Sequence, residues 1–462
     1  MLLADHLWTA AGWQRDVRVG ASGDDVRARF VLPGMPNLHS HAFQRAMAGL
    51  AEKRGALVEK GGQRSSLPGM AASSPLLDSP DQGRSQEDTF WTWRETMYAF
   101  ASRIGPDQLR AIAAQLYVEM LKAGYTNVCE FHYLHHAPDG KPYADPAAMS
   151  LAIIEAAKEA GIGLTLLPVL YMTGGFDGRP LSERQRRFGM DVQACSRLLE
   201  NLRALEASSL RVGIALHSLR AVPEAAMREV LASPLVREGV IHIHIAEQTG
   251  EVDECVAARG ARPVRWLLDH ADVDARWCLV HATHLDEGEV AGIARSGAVA
   301  GLCPTTEANL GDGLFPLADY LDANGTLGIG SDSHVSVSPV EELRWLEYGQ
   351  RLTARKRNIA ARTAGAGVGE VLWKAAMQGG AQASGIAASD ENAGLLVLDD
   401  QSPLLAARDE RNVLDSFLFA GNTPLVRDVM ANGEWVVRDR RHRDEERIAA
   451  RFRKVVETLA SG

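Results

Sequence analysis

In the segment VLPGMPNLHSHAFQRAMAG, residues 31–49, the histidines His39 and His41 follow an apolar run and lie two residues apart. Residues i and i+2 of a strand project to one face. Both imidazoles are therefore expected to converge where a buried strand ends. The same punctuation recurs downstream: His244 with Glu247 in GVIHIHIAE, His281 in CLVHATH, and Asp332 in LGIGSDSH. Imidazoles and a carboxylate make a nitrogen/oxygen donor set suited to Zn²⁺ or Fe²⁺, with a position left for water. A hydrogen-bonded core histidine explains any one of these residues alone, but not their collection at successive strand ends. His242 and His244 share a face, so either could serve. His244 lies nearer the strand end and is the expected ligand, with His242 deeper in the interior. Glu247, three residues beyond His244, reaches the same point only if the strand has already stopped, as the polar EQTGEVDE suggests.

Eight apolar runs could carry these ends: FVLPGMPNLHSH, NVCEFHYLHH, IGLTLLPVLYM, RVGIALHSL, GVIHIHIAE, CLVHATH, AVAGLCPT and LGIGSDSH. Between most of them lie segments of 3.6-residue periodicity such as DQLRAIAAQLYVEMLKAG. The alternation predicts an α/β fold, a (β/α)₈ barrel over 33–385, although an open doubly wound sheet would alternate in the same way. In a barrel, the C-terminal strand ends form the active face, and every polar cluster above falls there. The flanks, 1–32 and 386–440, read as short strands forming one small β-sandwich-like domain from both chain ends. Its hairpin VRDVMANGEWVVRD turns at Asn432-Gly433. A C-terminal helix is expected within 441–462. In residues 61–85, Gly, Ser and Pro fill 13 of 25 positions, which predicts a mobile surface insertion.

The 462 residues are 46% hydrophobic and 23% charged, with a formal net charge of −10. That balance argues against a dominant nucleic-acid or anionic-membrane surface. An anionic small substrate would need arginines gathered locally. The five cysteines are odd in number and show no C-x-x-C spacing, so a reducing cytoplasm is the simplest setting. No signal peptide or membrane-spanning run is expected.

PNLHSH, HIHIAE, LVHATH and GSDSH, at these separations, resemble the amidohydrolase superfamily of metal-dependent barrel hydrolases, and the resemblance covers nearly the whole chain. It implies the one-metal, deaminating branch. There His39, His41, His244 and Asp332 bind a single Zn²⁺ (Fe²⁺ being the other metal considered), Glu247 shuttles protons, and His281 polarises the substrate or hydroxide. Two-metal members bridge their ions with a strand lysine, whereas all eight lysines here fall in helix- or loop-like segments. HSHAFQRAMAGL, FWTWRETMY, EFHYLHH, HSLRAV and TEANLGDG further resemble the formimidoylglutamate deiminase family of histidine degradation. In that family the equivalents of Gln44, Arg94, Tyr133, His217 and Arg220 hold a small dicarboxylate substrate. Two arginines suit two carboxylates, since each can pair bidentately with one. The rival expectations are a guanine- or nucleoside-deaminase-like zinc aminohydrolase and a barrel retained as a non-enzymatic scaffold. A homodimer is the expected assembly.

Overall fold

The structure is a computed structural model that describes residues 2–9, 11–19, 26–52, 90–386 and 394–461. Segment 61–85 lies outside the described residues. The chain opens with β1 (Leu2–Thr9), β2 (Gly12–Val19) and β3 (Val26–Pro33), then enters β4 (Met35–Ser40). FVLPGMPNLHSH is thus two strands in different sheets rather than one. Gly34 makes the crossing possible, because a Cβ there would lie 2.1 Å from Oγ1 of Thr126.

From β4 to β12 the strands are parallel and, apart from the adjoining β7 and β8, separated by helices. They are β5 (Tyr125–His132), β6 (Gly163–Leu170), β7 (Leu210–Val212), β8 (Ile214–Ser218), β9 (Ile241–Ile245), β10 (Trp277–His281), β11 (Val299–Leu302) and β12 (Thr326–Ile329). Their neighbour order is β4-β5-β6-β8-β9-β10-β11-β12, with the short β7 paired to β6. RVGIALHSL therefore breaks into β7 and β8. The first and last strands meet at a bridge between Ser40 and Asp332. There the Asp332 amide donates to the His39 carbonyl at 3.0 Å, and the His41 amide donates to the Asp332 carbonyl at 3.2 Å. The result is an eight-stranded α/β barrel. Its strands are covered on both faces, and β5 and β6 are buried along their whole length, as parallel strands under helices must be. Helix α1 (Phe90–Ala101) and helix α2 (Pro106–Ala123) lie between β4 and β5.

The chain ends combine in one seven-stranded sheet with β13 (Leu395–Leu398), β14 (Val426–Ala431), β15 (Glu434–Arg438) and β16 (Arg441–His442). Its order is β16-β15-β14-β13-β3-β1-β2. β13 runs antiparallel to β3, with Leu396 opposite Leu32, which sews the C-terminal strands to the N-terminal ones. The β14–β15 turn places Asn432 and Gly433 at φ +50° and +78°, the left-handed pair a two-residue hairpin favours. A final helix, Glu445–Ser461, is tied to α2 by an ion pair between Lys122 and Glu445 at 2.6 Å. Among the described residues, no helix is long and apolar enough to cross a membrane.

Candidate active site

Four barrel strands converge on one point. Nε2 of His39 lies 3.1 Å from Nε2 of His41 and 3.0 Å from Nε2 of His244. Oδ1 of Asp332 stands 3.3 Å from Nε2 of His39 and 3.4 Å from that of His41. His281 faces the same point from β10, its Nε2 3.9 Å from the other Asp332 oxygen and 3.7 Å from Oε1 of Glu247. His242 is held elsewhere, its Nε2 bonded to the Ala383 carbonyl at 2.8 Å.

The backbone leaves the strands in a way that aims these side chains. Ala246, His281 and Asp332 adopt φ values of +51°, +69° and +44°. Each such non-glycine residue costs on the order of 1–3 kcal/mol, and such strain gathers at functional sites. The kink at Ala246 ends β9 before Glu247, so this carboxylate turns toward the cluster rather than away. Close approach is also built in beside β4, because a Cβ on Gly330 would lie 2.8 Å from the backbone of His39.

The residues fit a bound cation. Nδ1 of His41 is bonded to the Phe131 carbonyl at 2.9 Å, and Nδ1 of His244 to the His217 carbonyl at 3.0 Å. A carbonyl only accepts, so both protons sit on Nδ1 and both Nε2 lone pairs face the centre. Burial holds the His39, His41 and His244 imidazoles below the usual range, hence neutral. The His39 nitrogen, about 3 Å from those of both His41 and His244 and beside the Asp332 carboxylate, is the centre of two overlapping donor groups that a divalent cation can satisfy. No lysine among the described residues lies on a barrel strand. Behind the cluster, Glu130 of β5 accepts from the Ser40 hydroxyl at 2.6 Å, the Ala42 amide at 2.7 Å and the Tyr117 hydroxyl at 3.1 Å. That pins the turn following the two histidines.

Opposite charge surrounds His281. Burial disfavours its charged form, but Glu247, Glu307 and Asp332 outweigh that and push the imidazole up to about 10. Glu247 is itself raised by burial, against the pull of His281. Burial, reinforced by Glu247, raises Asp312 to about 9 and Glu251 to about 7.

A cavity of about 300 Å³ opens above the cluster, lined by His41, His244, Glu247, His281 and Asp332 together with Arg94 and Arg220. The Arg220 charge reaches Glu247 and Glu251. Gln44, Tyr133 and His217 also line it. Gln44 donates from Nε2 to the Tyr133 hydroxyl at 3.0 Å, while its buried Oε1 has no partner among the described residues. Arg94, on α1, donates to the Tyr171 hydroxyl at 3.2 Å. Arg220, just beyond β8, is half-buried, and among the described residues no acid or other acceptor meets its guanidinium. The cavity wall also includes Trp93, Met97, Tyr171 and Phe188, which sequence reasoning did not single out. Nor did it single out Glu307 and Asp312. Both sit inside TEANLGDG, a segment noticed without a role for either acid.

A model of the amidohydrolase family matches residues 30–436. The chain belongs to the amidohydrolase family. It is 52% identical to the formimidoylglutamate deiminase of Pseudomonas aeruginosa, over an alignment of 478 positions covering 99% of each chain. It is 27% identical to a 5-methylthioadenosine/S-adenosylhomocysteine deaminase of Natronomonas pharaonis, which aligns with 91% of this chain and 85% of that one. Among solved structures, an amidohydrolase from Brucella melitensis superposes with a TM-score of 0.87 at 41% identity, covering 99% of both chains. A zinc-bound adenosine deaminase from Xanthomonas campestris, at 19% identity and a TM-score of 0.75 over 100% of this chain and 98% of that one, shares the fold. The family is metal-dependent, and the His/Asp cluster is where this member can hold a metal.

Proposed function

We propose that this protein hydrolyses N-formimino-L-glutamate to N-formyl-L-glutamate and ammonia, as a step of histidine degradation. The observation that carries the reading is the make-up of the cavity: Arg94 and Arg220, whose guanidinium has no hydrogen bond among the described residues, line it together with the His/Asp cluster and Glu247. A substrate with two carboxylates and a basic formimino group matches that lining, two cations for the carboxylates and acids for the formimino nitrogen. The relative at 52% identity, named for this reaction, supports it.

His39, His41, His244 and Asp332 are the proposed ligands of one Zn²⁺ per chain, a choice favoured over Fe²⁺ by the zinc-bound neighbour. When bound, the metal supplies Lewis-acid activation of the attacking water at neutral pH. Arg94 and Arg220 orient the carboxylates, and the open Oε1 of Gln44 accepts an N–H of the substrate. Asp332 takes a proton from the water as oxygen adds to the formimino carbon. Glu247 hands a proton to the imino nitrogen, with His281 beside it stabilising the developing negative charge. Asp332 then passes its proton to the same nitrogen as the C–N bond breaks, the hydroxyl of the adduct gives its proton back to Glu247 as the formyl carbonyl forms, and ammonia leaves. The five cysteines are buried and unpaired, which supports a reducing cytoplasm. Trp345, Tyr348 and Leu352 are exposed on the helix Pro339–Ala354, which supports a homodimer and is testable by sedimentation.

The experiment is a panel scored by ammonia release: formiminoglutamate, guanine, adenosine and a neutral formamidine, with metal analysis of each preparation. Formiminoglutamate should dominate, with one metal ion per chain. Arg94→Met and Arg220→Met should each lower kcat/KM by about 30- to 4,000-fold, the cost of unpairing a buried carboxylate, with metal content unchanged. Preference for guanine, or parent-like turnover in both variants, would reject the substrate.

A further inference from the structure

We propose that Tyr171 is a carboxylate-binding residue of this site, its hydroxyl locked as a donor that points its proton into the cavity. The inference rests on the dicarboxylate reading above and names a further group that reads the substrate. Tyr171 follows β6 directly, is almost fully buried, and lines the cavity, its ring 4.2 Å from that of His217 in an edge-on contact. Its hydroxyl oxygen receives two bonds, from Nη2 of Arg94 at 3.2 Å and Nε2 of Gln185 at 2.9 Å.

Neither bond can run the other way. A guanidinium has no acceptor atom. The amide of Gln185 is oriented by its own oxygen, which accepts the Ser182 backbone N–H at 2.9 Å and so leaves the NH₂ to face Tyr171. A phenol offers one proton and two lone pairs. Both lone pairs are taken, and among the described residues no acceptor meets the remaining proton. The hydroxyl is therefore a donor without an acceptor, beside Arg94, on the wall of the cavity. Receiving a bond from a guanidinium also polarises the O–H and strengthens what it donates. A carboxylate has about four acceptor sites and a bidentate arginine uses two, so a third donor at this corner completes its coordination. The polarity is set from outside the cavity by Gln185, which need never touch substrate.

The test uses the metal-loaded protein with three variants. Tyr171→Phe removes the donor. Gln185→Glu replaces the amide donor with an acceptor, which draws the hydroxyl proton away from the cavity. Gln185→Met removes the amide without supplying an acceptor. Tyr171→Phe and Gln185→Glu should each raise KM for formiminoglutamate, and Kd for N-formyl-L-glutamate, by about 10- to 100-fold, the worth of one hydrogen bond to a charged group. In both, kcat should stay within about threefold and metal content should not change. Gln185→Met should cost less than Gln185→Glu, the reverse of the order expected if Gln185 only props the fold. In the Tyr171→Phe background, Gln185→Glu should add less than about threefold, which separates proton direction from simple charge repulsion. An active parent whose Tyr171→Phe variant binds N-formyl-L-glutamate equally well overturns the inference alone. So does a Gln185→Met defect as large as that of Gln185→Glu. A parent that neither turns over formiminoglutamate nor binds N-formyl-L-glutamate overturns the functional reading and this inference together.

Discussion

Nδ1 of His281 lies 3.3 Å from Oε1 of Glu307, and the same oxygen accepts the Cys303 backbone N–H at 2.9 Å. One carboxylate thus orients the imidazole and anchors the start of the helix Pro304–Leu310 that follows β11. Glu307→Gln keeps an oxygen for the Cys303 amide but removes the charge that favours a protonated His281. We expect kcat to fall about tenfold or more, with KM and metal content near those of the parent. Unchanged kcat would leave Glu307 as an anchor for the helix and nothing else.

Glu247 approaches His281 at 3.7 Å and is not within the cluster of nitrogen donors. Its amide variant preserves shape but cannot move a proton. Glu247→Gln should therefore bind metal and N-formyl-L-glutamate like the parent while losing about 10²-fold or more in kcat. Loss of the metal in this variant would instead make Glu247 a ligand.

Arg187 is a buried cation whose hydrogen bonds all run to carbonyls, its Nε having no partner among the described residues. It donates to Ala101, to Ile104 at 2.7 Å and to His136 at 3.0 Å, and burial lowers its pKa to about 10. Ala101 and Ile104 close the C-terminal end of α1, the helix that carries Arg94. Arg187→Met should let that helix shift, raising KM by about 10- to 100-fold while kcat and metal content hold. Steady-state kinetics with metal analysis decides it. A variant that is less stable but kinetically normal would confine Arg187 to the fold.

On the small sheet, Glu410 joins Nδ1 of His6 and Nε of Arg15, both at 2.8 Å. The Arg15 bond, then that of His6, depresses its carboxyl from 4.5 to about 2. A carboxyl lowered in the folded state stabilises fully above its unfolded value and loses that contribution as pH falls through the folded one. Glu410→Gln should lower Tm by about 1–2 °C at pH 7, the modest worth of an exposed pair. The gap from the parent should narrow as pH drops below about 4.5. A gap that persists undiminished at pH 3 would assign the effect to packing.

What could be read in advance follows from local chemistry. The strands were visible because buried parallel strands are continuous apolar runs, and His39, His41, His281 and Asp332 because polar groups interrupt those runs at their ends. The break at Gly34 was not visible, since it depends on Thr126 lying against the backbone from a distant strand. Tyr171, Gln185, Arg187, Glu307 and Asp312 were missed for a related reason. Each is an ordinary polar or aromatic residue in a loop or a short helix between strands, and its part depends on which carbonyl, amide or acid the fold brings to it. His281 and Asp332 also carry left-handed backbone that no residue type announces.

The seam of the barrel runs through the centre itself. The Asp332 backbone is the clasp between the first strand and the last, and its side chain meets the histidines of the first strand across that join. A chain emerging from the ribosome carries His39, His41 and His244 long before Asp332 exists to stand beside them. The donor set is thus completed only when the two ends of the barrel wall join. On the proposed ligand set, a protein cut before its eighth strand would have the histidines but lack Asp332, and metal capture would then follow closure of the barrel.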